Sequence, residues 1–382
     1  MPVRVLVVDD SQFFQSRLKE MINQHPDMQV VGIASNGREA VDKAAELKPD
    51  IITMDFEMPV MDGVTAIKLI MANRPVPILM FSSLTYEGAR ITLDALAAGA
   101  MDFIPKDFAE VSRNSEGLKA RLHERLLTLA GVGFRSPASA PASVQTKPVT
   151  GAKPEERESR APVPSPRSAP VTRTPAAPAS ASTASAQDNY RLKKQPSLVI
   201  IGASTGGPVA LTEVLNALPE NFPLPIVLVQ HMPENFTKAF AERLNKQCRI
   251  RVREAVDGDL LEPGLALLAP GGKQLMLDKR NKGHVRILPD DDRVTYKPSL
   301  DITFGSAANV YADKVLGVVL TGMGSDGCKG AKLLKDSGSA LWSQDEASSV
   351  IYGMPMAVAK ANLTDKVLSL KDIGPRLVRE LS

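Results

Sequence analysis

Twice along this chain, short aliphatic runs alternate with stretches of helical periodicity, and a stretch that can form neither separates the two series. In the first series the runs at 4–8, 30–34, 51–54, 78–81 and 102–104 are apolar at consecutive positions, as strands covered on both faces require. Between them, 12–23, 37–47, 64–72 and 86–98 carry apolar residues at the three- and four-residue spacing of an amphipathic helix, and 118–129 closes the series in the same way. Such alternation predicts βαβ units and a parallel sheet. The second series repeats the pattern, with strands expected at 198–202, 226–230, 266–269 and 315–321 and helices at 208–218, 237–245, 330–336 and 354–361. A hairpin pattern, 274–277 then 285–288, interrupts it. The fold class this implies is α/β, with two doubly wound parallel-sheet domains and no internal repeat.

The separating stretch is dominated by Ala, Pro, Ser and Thr, as in Ser136-Pro137-Ala138-Ser139-Ala140-Pro141. It cannot bury enough apolar surface to offset the entropy of ordering, and its prolines favour an extended spacer. The expected organisation is a first domain over 1–130, a disordered linker over 131–195 and a second domain over 196–382. A formal charge of +3 on 382 residues is too small to argue for nucleic acid, and the second domain carries no basic recognition helix. Cys248 and Cys328 form neither a metal-ligand spacing nor a disulfide framework. The first apolar run stops at Asp9-Asp10 rather than at small residues, and no run is long enough to span a bilayer. The expectation is a cytoplasmic monomer without membrane insertion.

Asp9-Asp10 end the first strand, Asp55 the third, Ser82 the fourth, and Lys106 follows the fifth. Open parallel sheets bind ligands beyond the carboxyl ends of their strands. Carboxylates converging there call for a hard cation, and Mg²⁺ suits oxygen donors and retained waters. A hydroxyl and an ammonium aimed at the same place suit the oxygens of a phosphoryl group. Any one of these aspartates alone reads better as a helix cap; the set, one per strand end, does not. The segments Val5-Leu6-Val7-Val8-Asp9-Asp10-Ser11, Met54-Asp55-Phe56-Glu57-Met58-Pro59-Val60-Met61-Asp62-Gly63, Met80-Phe81-Ser82-Ser83 and Phe103-Ile104-Pro105-Lys106 resemble the receiver domains of two-component response regulators. The resemblance implies a flavodoxin-like sheet and phosphorylation of Asp55 by a histidine kinase. It also implies Mg²⁺ held by Asp10, Asp55 and the Glu57 carbonyl, with Asp9 assisting through water, and phosphate sensing by Ser82 and Lys106. Phe103 stands at the family's switch aromatic. Asp107 follows Lys106 where many members carry Pro.

In the second domain, Gly202-Ala203-Ser204-Thr205-Gly206-Gly207-Pro208 is a strand end, a tight turn and a helix start. Small residues around Ser204 permit a sharp turn, and the helix N-terminus favours a developing oxyanion. The pattern by itself also fits a glycine-rich phosphate or dinucleotide turn. Against that, the next strand ends in Gln230-His231 rather than in an acid, and the turn has no Lys. A serine hydroxyl needs a base, and His231 ends the strand that follows. Asp326, in Gly322-Met323-Gly324-Ser325-Asp326-Gly327, offers the carboxylate to orient it. The order Ser…His…Asp differs from the α/β-hydrolase order, which would need His284 with Asp257, Asp259 or Asp278. A noncatalytic partner- or nucleotide-binding domain is the competing class.

These segments, with Leu268-Ala269-Pro270-Gly271-Gly272 and Tyr296-Lys297-Pro298-Ser299-Leu300-Asp301, resemble the catalytic domain of the chemotaxis protein-glutamate methylesterases. The resemblance implies a Rossmann-like three-layer domain that demethylates glutamate methyl esters on chemoreceptors, releases methanol, and also deamidates receptor glutamines. Its triad falls on Ser204, His231 and Asp326, and its oxyanion neighbourhood on Thr205 and the Met323 N–H. No cofactor is implied for ester hydrolysis. The implied partners are methyl-accepting chemoreceptors and a chemotaxis histidine kinase. The linker is longer than the connector usual in that family, which leaves open how closely the receiver packs over the site.

Overall fold

Consecutive aliphatic runs do become doubly covered parallel strands in the computed structural model, which describes residues 1–113, 115–132, 192–289 and 294–382. The first domain runs β1 (Val3–Val8), α1 (Gln12–Asn23), β2 (Met28–Ala34), α2 (Gly37–Leu47), β3 (Ile51–Asp55), α3 (Gly63–Asn73), β4 (Ile78–Ser82), α4 (Tyr86–Ala97), β5 (Asp102–Pro105), α5 (Phe108–Ser112) and α6 (Glu116–Val132). Its strands lie in the order β2-β1-β3-β4-β5, all parallel. The chain leaves β1 for one side and returns to β3 on the other, so the switch point falls between the strands that end in Asp9 and Asp55. Leu118, Leu122, Leu126 and Leu129 of α6 are fully buried against Val5, Val7 and Met21. Each such leucine contributes about 2 kcal/mol by leaving water.

The second domain runs β6 (Leu198–Ala203), α7 (Gly207–Asn216), β7 (Ile226–Gln230), α8 (Phe236–Gln247), β8 (Arg251–Glu254), β9 (Leu265–Leu268), then the antiparallel pair β10 (Gln274–Leu277) and β11 (Val285–Leu288). It continues with α9 (Leu300–Tyr311), β12 (Val315–Val319), α10 (Cys328–Asp336), β13 (Ala340–Gln344), α11 (Met354–Lys360), β14 (Lys366–Leu368) and α12 (Leu370–Leu381). Seven parallel strands lie in the order β14-β13-β12-β6-β7-β9-β8. The chain winds outward from β6 in both directions. The loops after β6, β7 and β12 therefore meet at one rim, beside the switch point.

Six elements lie outside the sequence expectation, each for a physical reason. β8 is an edge strand with outward arginines, β14 has three residues and α5 has five. β13 is Ala-Leu-Trp-Ser-Gln, whose two polar residues are buried and hydrogen-bonded rather than exposed. α9 is rich in Thr, Ser, Asn and Gly, and α12 accommodates Pro375 inside the helix. Most of the expected linker, 133–191, lies outside the described residues. Among the described residues no helix is long and apolar enough to cross a membrane.

The start of α3 fixes the strand end that carries Asp55. Asp62 caps the helix by accepting the Thr65 N–H at 2.9 Å. Gly63 lies so close to β3 that a Cβ there would come within 2.3 Å of the Asp55 carbonyl oxygen. Gly63→Ala is expected to destabilise the first domain by about 2 kcal/mol, the range of overpacked buried sites. Urea unfolding of the full chain checks this; an unchanged midpoint would contradict it.

Candidate functional site

The rim site is built from backbone register. β6 and β7 pair up to Ala203 and Gln230, so Ser204 and His231 are the next residues on strands about 4.8 Å apart. The turn after β6 depends on glycine. Gly206 has φ of +76°, and a Cβ on Gly207 would fall 2.0 Å from Gln230 Oε1. The Ser204 N–H donates to the Thr321 carbonyl at 3.0 Å, which ties the β6 loop to the β12 loop. The Gln230 Nε2 donates to the Ser204 carbonyl at 2.9 Å, which ties it to β7.

Asp326 is buried at the end of the β12 loop, and its carboxylate is fully engaged. His231 Nε2 lies 2.7 Å from Oδ2. The Leu300 N–H donates to Oδ2 at 2.7 Å; the Ser299 hydroxyl and the Asp301 N–H donate to Oδ1 at 2.8 and 3.1 Å. Ser299 is the N-cap of α9 and the two amides open that helix, so the carboxylate sits at the positive end of a helix dipole. Burial alone would raise the Asp326 carboxyl, but the bond and charge of His231 and the Leu300 and Ser299 donors outweigh it and hold it below the ordinary value. His231 Nδ1 is buried and has no hydrogen-bond partner. Ser204 and His231 line one cavity of about 60 Å³. Among the described residues the backbone N–H groups of Thr205 and Met323 donate no hydrogen bond. This arrangement provides a hydroxyl, an imidazole with one free nitrogen, a carboxylate bonded to it and, in Thr205 on the cavity wall, a free amide donor.

The alternative acids are occupied elsewhere. Asp257 accepts the Ile287 N–H, Asp278 the Arg280 N–H, and Asp259 pairs with Arg253. His284 is not the solvated turn residue its sequence neighbours suggest. It is partly buried with an unpartnered Nδ1, and its backbone bridges to Leu260.

The first domain roofs this cavity. Asp102, Phe103 and Arg125 face Ser204 and His231 across it. The Thr205 hydroxyl does not face the cavity as a free donor; it donates to Asp102 Oδ2 at 2.6 Å. Arg125 ion-pairs with the same oxygen at 2.7 Å and donates to the Phe103 carbonyl at 2.6 Å. The Phe103 ring stacks on Phe236 of α8 with centroids 4.6 Å apart and planes 3° from parallel. Met323, Val350 and Ile351 join the first domain's apolar core. Charged contacts border this seam: Arg243 with Asp94, and the Tyr86 hydroxyl with Glu242.

At the other end of β5, Lys106 Nζ lies 2.9 Å from Asp9 Oδ2 and 2.7 Å from Asp55 Oδ2, and over the Phe14 ring. Carboxylate oxygens of Asp9, Asp10 and Asp55 all fall within 4.8 Å of one another. Burial, then the charge of Asp9, push Asp55 up to about 6 against the opposing pull of Lys106. Burial likewise raises Asp9. Burial opposes the Lys106 charge, but the two carboxylates win and raise its pKa. Asp10 and Glu57 are exposed. Ser82 is buried, donates to the Gly88 carbonyl at 3.2 Å and accepts from Thr92, so its hydroxyl is engaged away from the acids.

In the sequence Tyr296 and Ser299 stand only within a segment of family resemblance, and Asp102 and Gln274 only as the first residues of expected strands. Ser299 proves to be the N-cap of α9, a position where serine is the ordinary choice. Asp102 carried no signal, because it opens β5 rather than ending it and its partner Thr205 belongs to the other domain.

Residues 199–377 match the family described as CheB methylesterase, and residues 5–113 match the response regulator receiver domain. The chain is 56% identical, over 100% of both lengths, to a protein-glutamate methylesterase/protein-glutamine glutaminase of Saccharophagus degradans. It is 58% identical, over 99% of each, to one of Pseudomonas putida. The Thermotoga maritima CheB methylesterase catalytic domain is a similar solved structure, 40% identical, with a TM-score of 0.46, covering 49% of this chain and 99% of its own.

A carboxyl whose pKa is raised on folding binds more protons folded than unfolded, so its cost is absent below the ordinary carboxylate value and grows as pH rises through about 6. Asp55→Asn, measured without divalent cations, is therefore expected to stabilise the chain by on the order of 2 kcal/mol at pH 7. The gain should shrink towards pH 4. Thermal unfolding across that window reads it, and a gain that grows on acidification would refute it.

Proposed function

The chain belongs to the CheB methylesterase family with an N-terminal response regulator receiver domain, and from that premise we propose that it demethylates glutamate methyl esters and deamidates glutamines on chemoreceptors under phosphorylation control. The receiver spans 1–130 and the catalytic domain 196–382 in this reading. The observation that carries it is the 2.7 Å bond between His231 Nε2 and Asp326, beside a cavity shared by Ser204 and the free His231 Nδ1. His231 takes the Ser204 proton through Nδ1, and the Ser204 oxygen attacks the ester carbonyl. The Thr205 and Met323 N–H groups receive the oxyanion, at about 3 kcal/mol per donor. The protonated His231 gives its proton to departing methanol, or to ammonia from an amide. Water, deprotonated by His231, then releases the glutamate. Asp326 keeps the imidazole oriented and stabilises its protonated form.

Asp55 is the phosphoacceptor in this reading, with a histidine kinase of the chemotaxis pathway as donor. The clustered hard oxygens of Asp9, Asp10 and Asp55 fit Mg²⁺, and Asp10, Asp55 and the Glu57 carbonyl would hold it, with Asp9 alongside. When bound, it neutralises charge during phosphoryl transfer. The phosphoryl group competes with Asp9 and Asp55 for Lys106 and draws the Ser82 hydroxyl from Gly88. β5 carries that change to Phe103 and Asp102, and the roof leaves the cavity.

Methanol release from methylated receptor membranes, with and without a small-molecule phosphodonor, tests the reading. Ser204→Ala should lose activity in both conditions; retained release would remove the triad. Asp55→Asn should keep basal release and lose the increase. Separately, Asp102→Ala frees the Thr205 hydroxyl and removes the Arg125 partner, and should raise unphosphorylated activity several-fold. Unchanged basal activity would show that the Asp102 contact does not hold the roof.

A further inference from the structure

The structure assigns Tyr296 a positioning role: its ring is the platform that holds the His231 imidazole in the plane from which Nδ1 reaches Ser204. This rests on the reading of Ser204, His231 and Asp326 given above and goes beyond it. A histidine held at one nitrogen can still rotate about that bond. His231 is tethered at Nε2 to Asp326, and its Nδ1 has no partner, so the bond alone does not fix the ring plane. The Tyr296 ring supplies the missing constraint, lying parallel to the imidazole with centroids 4.3 Å apart and planes 12° from parallel.

The platform is anchored rather than loose. The Gln274 Nε2 donates to the Tyr296 carbonyl at 2.7 Å, and the Gln274 Oε1 accepts the Ser299 N–H at 2.8 Å. Ser299 in turn donates to Asp326. One short segment, buttressed from β10, therefore aligns both the carboxylate and the imidazole. Gly324 makes room for the phenol, since a Cβ there would come 2.7 Å from the Tyr296 hydroxyl oxygen, and its φ of +80° is one that glycine accepts freely. Burial, then the charges of Glu124 and Asp326, raise the Tyr296 phenol, so the ring stays neutral beside the imidazole. An electron-rich face against an imidazole that becomes cationic during turnover gains attraction when the charge forms. The effect thus belongs in turnover rather than in substrate binding.

The test compares Tyr296→Phe with Tyr296→Leu in the full chain, with a phosphodonor present and methanol release from methylated receptor membranes as the readout. Phe keeps the stacked face and should retain kcat within about twofold. Leu removes it and should lower kcat about tenfold with KM unchanged, as expected for an aromatic contact made stronger in the transition state. Where the Leu variant lacks a cooperative thermal transition, Tyr296→Met, of similar reach and without a ring, gives the same comparison. Loss of kcat in Phe equal to that in Leu would overturn the proposal, because the hydroxyl would then matter rather than the ring. A raised KM with intact kcat would overturn it in favour of a substrate contact, and wild-type kinetics in Leu or Met would overturn it outright. Ser204→Ala, run alongside, separates the two levels: if that variant still releases methanol, the triad reading fails and not the platform alone.

Discussion

The carboxylate of Asp326 is the constraint around which the second domain is arranged. A buried charge is tolerable only when it is paired and fully hydrogen-bonded. Four donors meet it, three from the N-cap and first two residues of α9 and one from the histidine that follows β7. Satisfying it therefore brings together the β12 loop, the α9 terminus and the end of β7. The same electrostatic requirement tethers the histidine at Nε2. The positive-φ glycines at 206, 324 and 327 let the loops turn tightly enough to meet.

The two sheets and the residues at their strand ends were legible in the sequence because they are local. Aliphatic runs reveal doubly covered strands, and a serine, histidine or aspartate at a strand end announces itself by position. Ala203 pairing with Gln230 then sets Ser204 and His231 at one rim, a neighbourhood that two strands consecutive in sequence anticipate. Contacts of residues that carry no chemical signature at a strand's carboxyl end were not legible. Asp102 gave no hint that it accepts the Thr205 hydroxyl, nor Tyr296 that it lies on His231. Short, polar or edge elements were missed for another reason: β13 buries Ser343 and Gln344, and their partners supply the satisfaction that composition could not foresee.

The seam between the domains is mixed in character. A stacked aromatic pair and a few apolar residues around Ile351 contribute to it, and its border carries one ion pair, Arg243 with Asp94, which water and salt screen, and the hydrogen bond from the Tyr86 hydroxyl to Glu242. Such a seam resembles a transient protein–protein interface more than a continuous core.

β5 has four residues, yet Asp102, Phe103 and the following Lys106 serve the cavity, the seam and the acidic pocket in turn. The acidic pocket and the cavity are therefore separated by only about 14 Å of extended backbone. Over so short a span the strand acts as a stiff rod rather than a relay of side chains. Under the phosphorylation control proposed above, a displacement of Lys106 would reach Asp102 along this strand without a chain of intermediate rearrangements.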